Sequence, residues 1–410
     1  MTQAPTQLVL PWPGVAPDAA AVLFAIGAFA GQTPEDLGVV GEDDPEIAWG
    51  RALAIPAFPA PLVLWVEPAQ PVDPRELPGV DLAGCEHVLC VQTLLGDTDP
   101  LATYALLMRM VEKAFETVPA VLDANTTRWF PRPTLAELFG VEAAPPPDVL
   151  WLIQLVESGT GQVWLHTHGL DRCAAPELEM LEVPVAFAAV AAELMDEVAA
   201  HRLDGPWPAS GAPLSLGPDL AVTLVPAATV VPTLPAGTLG AAADRVGVAE
   251  AAHGLDGMVV CATTPSGPPA RWTWPRDVLE RWRRGTIAIE RSPRVAAARR
   301  QMAQREWPRL CAMMRPDHEL IVAAGVEIAE TDGDREHLWF AVEDADTDGV
   351  EGRLLHTPAA AAGLAAGDRR RLARADITDW RVRGAEGSYG PGDLDRMQRE
   401  ATRGDAHVTG

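Results

Sequence analysis

Lysine is almost missing from this chain: Lys113 is the one lysine in 410 residues, and 57 Asp and Glu outweigh 32 Lys and Arg to leave a net charge of −25. Holding phosphate needs the opposite sign, so the balance argues against non-specific binding to nucleic acid or an anionic membrane and favours a basic protein partner. Cysteine is sparse as well. Cys85, Cys90, Cys173, Cys261 and Cys311 are an odd number with no CxxC pair, which excludes a zinc ribbon and a disulfide framework and fits a reducing cytoplasm. Long apolar runs are absent: Ala19 to Ala30 and Val183 to Ala192 fall short of the ~20 residues that span a bilayer. Met1 to Leu10 carries no Lys or Arg ahead of an apolar region, so no secretory signal is read there. Catalytic templates are missing too, with no GxxxxGK[ST] loop, no GxSxG elbow and no HExxH pair, and Gly159-Thr160-Gly161 lacks the third glycine of a dinucleotide fingerprint.

What remains is an ordinary globular composition, 48% hydrophobic and 22% charged, in a chain longer than the ~250 to 300 residues one core supports. Strands are predicted over Gln7–Leu10, Leu62–Val66, His87–Val91 and Ala120–Ala124. Helices are predicted from Ala19, where Asp18 can cap, from Leu101 to about Val118, with Asp99 or Thr98 as cap, and over Pro133–Leu138. After Pro145-Pro146-Pro147, which no helix interior or central strand accepts, Val149–Val156 and Gln162–Leu170 read as a hairpin, Leu178–Leu181 as a third strand, and Pro184–Arg202 as a helix. Leu214–Val225 adds one or two strands. The aperiodic, Pro- and Gly-containing run Val231–Gly240 places the main boundary between about Pro226 and Ala243, with domains drawn to 235 and from 243. Beyond it, Gly257–Ala262 and Thr286–Glu290 read as strands, and Pro275–Arg284 and Pro293–Met314 as helices.

The most pointed constellation is Trp164-Leu165-His166-Thr167-His168, then Asp171-Arg172-Cys173 and Glu177-Leu178-Glu179. Residues two apart on a strand share a face, so His166 with His168, and Glu177 with Glu179, would each present paired ligands. Were the two strands neighbours, His166, His168, Glu177 and Glu179 would suit zinc or another divalent metal; the competing reading makes them hydrogen-bonded groups that hold a turn. Cys173 beside His166 or His168 also has the make-up of a thiol and its base. This run resembles the family called domain of unknown function 4026. The resemblance covers the N-terminal and middle part of the chain and implies no established activity.

Near the C-terminus, Leu338-Trp339-Phe340-Ala341-Val342 is rich in strand formers, and Asp348-Gly349 suits a hairpin turn. Val350–Leu355, a Gly367-Asp368 turn and a closing strand Ile377–Val382 complete a small barrel-like module. The pattern Glu336, His337 and Trp339, then Gly352, Pro358, Gly367, Asp368, Asp379 and Trp380 closely resembles the bacterial family called domain of unknown function 2314. Leu338 stands where that family is expected to carry Met, and His356 where it is expected to carry Asn. Asp344, Asp346, Asp348 and Gly349 copy half of an EF-hand loop, but Leu355 occupies the place of its bidentate glutamate, so a solvated turn is preferred. His337 and His356 would face each other across the hairpin as a polar pair. Ten arginines from Arg276 to Arg309, with Trp272, Trp274, Trp282 and Trp307 among them, make a basic belt; a solvated face pairing with acidic groups is preferred over a nucleic-acid grip. Arg369-Arg370-Arg371 reads as a solvated loop.

The sequence therefore predicts an α+β protein of two domains. The first covers 1–235; the second covers 243–383, with a small antiparallel barrel-like module at 320–383, and a flexible tail over 384–410 follows it. Functionally it reads as a cytoplasmic bacterial binding or regulatory module, immunity-like in its acidity, with no cofactor expected and no membrane. The candidate functional cluster is His166, His168, Asp171, Glu177 and Glu179, and the enzyme alternative is a metal-dependent hydrolase centred on His166, His168, Glu177 and Glu179, in which a divalent metal would be the cofactor.

Overall fold

The computed structural model describes residues 3–398 apart from 74, 142, 158, 160, 218–219, 246–253, 264–273, 285–290, 316–317, 328–334, 359–360, 362, 385–386 and 395. The strand expected over Thr286–Glu290, Trp272, and the tail beyond Gln398 lie outside these. The chain divides into two compact units, Met1–Ser292 and Pro293–Gly410. Helices accompany mostly antiparallel sheets throughout, the α+β class expected.

The first unit holds two sheets. Strands β1 (Thr6–Trp12), β2 (Glu35–Val39), β3 (Trp49–Ala54), β4 (Leu62–Pro68), β5 (His87–Thr93), β6 (Ala120–Asp123) and β7 (Arg128–Pro131) form a seven-stranded antiparallel sheet in the order β2-β3-β4-β5-β1-β6-β7. Helix α1 (Ala19–Ala30) starts where the Asp18 carboxylate accepts from the Ala21 amide, and stops at Gly31, whose φ of +68° is open to glycine at little cost. Helix α2 (Pro100–Ala114) is capped in the same way by Asp99 and buries Leu101, Leu107, Met108 and Val111. Helix α3 (Arg132–Phe139) follows β7.

A second sheet of six strands is built from β8 (Leu152–Glu157), β9 (Gln162–His168), β10 (Leu178–Pro184), β11 (Pro213–Gly217), β12 (Leu220–Pro226) and β13 (Met258–Ala262), ordered β11-β12-β13-β10-β9-β8. β8 begins later than expected, because Pro147–Leu150 coils into a turn of 3-10 helix first. Helix α4 (Ala188–Asp204) covers β10 and β9 with Leu194, Met195 and Val198 buried. Helices α5 (Ala227–Val230) and α6 (Arg276–Arg283) complete the unit.

The boundary expected at 235–243 is corrected by β13. This strand pairs in parallel with β10 and antiparallel with β12, so a segment beyond that boundary fills the middle of the second sheet. Val259, Val260 and Cys261 are fully buried there. An aperiodic stretch is thus a crossover within one core, not a linker between two.

In the second unit, helix α7 (Pro293–Met313) packs on a six-stranded antiparallel sheet of β14 (Glu319–Glu327), β15 (Arg335–Asp346), β16 (Gly349–Leu354), β17 (Arg369–Ala373), β18 (Ile377–Gly384) and β19 (Gly387–Tyr389). Trp307 and Leu310 from the helix share a core with Val322, Leu338, Phe340 and Trp380. The order β17-β16-β15-β14-β18-β19 leaves two ends among the described residues, so the module expected to be barrel-like is an open sheet there. The described part of the tail is also not loose: β19 pairs with β18, and Tyr389, Leu394 and Met397 are buried in the core. Three spaced apolar side chains are enough to dock a segment whose composition otherwise reads as solvated.

Candidate functional site

Register decides what the histidine-bearing run can do. Gln154 on β8, His166 on β9 and Glu179 on β10 are direct neighbours across three strands. Because β9 alternates, Trp164 and His168 share the face of His166. The ring of His166 lies 4.5 Å from that of Trp164 and 4.8 Å from that of His168. Gln154 Oε1 sits 3.1 Å from His166 Nε2 and 2.7 Å from His168 Nε2, so one amide spans both rings. With that oxygen accepting, each imidazole carries its proton on Nε2. His166 is fully buried.

Glu179 closes the row. It accepts from the Trp164 indole N–H at 3.0 Å and forms a bidentate ion pair with Arg245, whose guanidinium also stacks 5.0 Å from the Trp164 ring. Both charged groups are nearly inaccessible, Glu179 at 3% and Arg245 at 6% of side-chain surface. A buried carboxylate held by a fork of two N–H donors is a positioned structural anion.

Glu177 is not on this face. It precedes β10, and its Oε2 accepts from Thr167 Oγ1 at 2.6 Å while Oε1 accepts from the amides of Gly169, at 2.8 Å, and Asp171, at 3.3 Å. The Thr167 hydroxyl in turn accepts from the Leu178 amide at 2.7 Å. Burial raises the Glu177 pKa, against the lowering effect of the Thr167 bond. Glu177 therefore ties the β9–β10 connection, and Asp171 takes part through its backbone. The expected quartet His166, His168, Glu177 and Glu179 is split between the two faces of the sheet. Among the described residues no group of three or more His, Cys, Asp or Glu side chains is arranged to hold a metal ion. Cys173 is 4% exposed, and burial pushes its thiol up to about 12, far from a thiolate nucleophile.

Sequence reasoning missed Gln154 and Arg245, which have no motif around them and reach the face only through pairing and a distant turn. It also missed the neighbouring buried ion pair. Arg172 Nη1 lies 3.0 and 2.8 Å from the two oxygens of Asp123 on β6, Tyr104 donates to the same carboxylate at 2.8 Å, and Arg172 Nε donates to the Leu150 carbonyl at 2.9 Å. Arg172 and Asp123 are both fully buried.

The second unit spends its signature residues on architecture. Glu336 accepts from the Ala361 amide at 2.8 Å, and Asp368 accepts from Ala365 at 2.8 Å in a turn whose Gly367 has φ +92°. A Cβ on Gly352 would lie 2.9 Å from Phe340 Cβ. Asp379 pairs with Arg299 at 3.3 Å and accepts from the Trp380 amide at 2.8 Å, with the Trp380 side chain fully buried. Trp339 is half-buried beneath the Arg381 guanidinium, 5.5 Å from its ring centre. Pro358 is half-buried just beyond β16.

Three expectations about this region resolve plainly. His337 bonds Thr378 Oγ1 at 3.1 Å and not His356, which lies past the end of β16 and is exposed. Desolvation, and after it the Arg300 charge, lowers the His337 pKa. The acidic run is a hairpin turn: Asp346 Oδ1 accepts from the Asp348 and Gly349 amides at 2.9 and 3.0 Å, and Oδ2 pairs with Arg371 at 2.6 Å. Arg369-Arg370-Arg371, expected as a loop, opens the edge strand β17.

The basic belt is shared between the two units. Arg276 and Arg284 pair with Glu280, Arg291 with Glu197, and Arg299 with Asp379. Trp307 is fully buried and Trp282 is 8% exposed, so these indoles offer no platform for a stacked base.

Comparison with known proteins agrees with the two-module reading. No curated protein and no solved structure matches. Residues 153–260, which run from β8 into β13, match the family model described as "Protein of unknown function (DUF4026) C-terminal", and residues 317–407 match that described as "Uncharacterized protein conserved in bacteria (DUF2314)".

Proposed function

We propose that this chain is a non-catalytic binding or regulatory module of the bacterial cytoplasm whose partner is a basic protein. The observation that carries this reading is the use of the Trp164–Glu179 constellation. Glu179 is neutralised by Arg245, Glu177 ties a turn, and the two imidazoles share one amide. Groups committed in this way lock strands together and leave no acid, base or ligand set turned toward a substrate. The choice of a basic partner rests on the net charge of −25. One exposed acidic portion is Glu35, Asp36, Glu42, Asp43, Asp44 and Glu46, on β2 and the loop after it. Such a surface raises association rates with a cationic partner and weakens with salt.

The test is affinity capture from a lysate of the source organism, using the whole chain beside a variant with Glu42, Asp43, Asp44 and Glu46 changed to their amides. A basic protein retained by the first, released by salt and not retained by the second is the expected outcome. Equal retention by both variants would remove the electrostatic basis of the proposal.

A further inference from the structure

Each sheet presents two edges, and five of the six are blunted. β2 carries a bulge between Asp36 and Gly38 and acidic side chains, and β7 spans four residues and ends in Pro131. β11 begins at Pro213 and is bulged between Ser215 and Gly217; β17 opens with three arginines, and β19 is three residues long. Bulges, prolines, charges and shortness are the devices that stop a strand edge from pairing with another chain.

β8 has none of them. Its six residues, Leu152-Ile153-Gln154-Leu155-Val156-Glu157, hold an unbroken register with β9 from Leu152 opposite His168 to Glu157 opposite Val163. It contains no proline, glycine or basic residue, and its one charge is at its end. Leu155 is 45% exposed. Among the described residues no strand pairs with its outer side. An even, uncharged, apolar edge of this kind is a template for strand addition.

We infer that β8 is a self-association edge, pairing antiparallel with β8 of a second copy of this chain across a two-fold axis at Leu155. The neutral centre of β8 admits a second copy without setting like charges opposite each other. In the antiparallel ribbon about that axis Leu155 meets Leu155, Gln154 meets Val156 and Ile153 meets Glu157, so the two Glu157 carboxylates stand apart, about 14 Å at ~3.4 Å per residue. A basic segment would find no anion along the strand's centre. The assembly buries one continuous sheet joint, a self-complementary contact of the kind two-fold dimers use.

Sedimentation equilibrium of the whole chain over a wide concentration range tests this, with Leu155→Lys and a control, Val39→Lys, on the blunted β2 edge. Wild type and Val39→Lys should dimerise alike. Leu155→Lys brings two ammonium groups together near the axis and should weaken the dimer at least ~10-fold. Added salt should strengthen the wild-type dimer, since it screens two copies of −25, the opposite of its effect on a complex with a basic partner. Amide hydrogen exchange of the wild type supplies a readout that needs no variant: protection over Leu152–Glu157 should rise with concentration. A wild type that stays monomeric, a dimer indifferent to Leu155→Lys, or β8 exchange independent of concentration would each overturn the inference.

Discussion

Asp196 is the carboxyl with the clearest consequence at the scale of single residues. It accepts from the Trp151 indole at 2.8 Å, and burial, reinforced by the nearby Asp148 charge, raises its pKa from 3.8 to about 7. The folded chain therefore keeps a proton that the unfolded chain releases near 3.8, and this group's contribution to stability is present at low pH and lost as pH climbs to about 7. Asp196→Asn keeps an oxygen for Trp151 and removes the titration. Urea midpoints measured from pH 4 to 8 should fall less steeply for the variant, and it should be the more stable of the two at pH 7. Equal slopes would show that Asp196 does not hold that proton. Side chains that act locally were legible in the sequence, as the caps Asp18 and Asp99 show, since each needs only an amide three residues on. Arg245 was not. Its partner Glu179 is 66 positions away, and no pattern of residue types marks so distant a pairing.

Elements were read best where a turn chemistry and a periodicity coincide. The β15–β16 hairpin is such a case, with Asp346 opposite Gly349 and Thr347-Asp348 between them. Strands β2, β3, β7 and β17 were missed, being short, charged or interrupted by glycine, so that pairing rather than propensity makes them strands. Glutamates 177 and 179 show the cost of a one-residue error in a boundary: β10 begins at Leu178, and the alternation expected to unite them starts only after Glu177. Gly349 supports the β16–β17 pairing by lacking a side chain, since a Cβ there would lie 2.1 Å from the Leu372 carbonyl oxygen. Gly349→Ala should cost about 1–3 kcal/mol by forcing the strands apart. Denaturant unfolding of the variant measures it, and an unchanged midpoint would mean that β17 shifts freely.

For the whole molecule, the sequence conveyed the order of two modules and the acidity of the surface, because both are properties of long stretches. The position of the boundary was hidden, since β13 joins its sheet from beyond an aperiodic run and only its place between β10 and β12 reveals the connection. The central claim is that the histidine–carboxylate face is structural and the chain acts by binding. Elemental analysis of the purified, untagged protein, beside a His166→Ala/His168→Ala variant and with thermal unfolding of both, tests it most directly. The account predicts no stoichiometric metal in either protein and a lower melting temperature for the variant, because truncating the fully buried His166 leaves a cavity and both rings that Gln154 bonds are gone. One metal ion per chain, lost from a variant that still folds, would contradict it and restore the hydrolase reading.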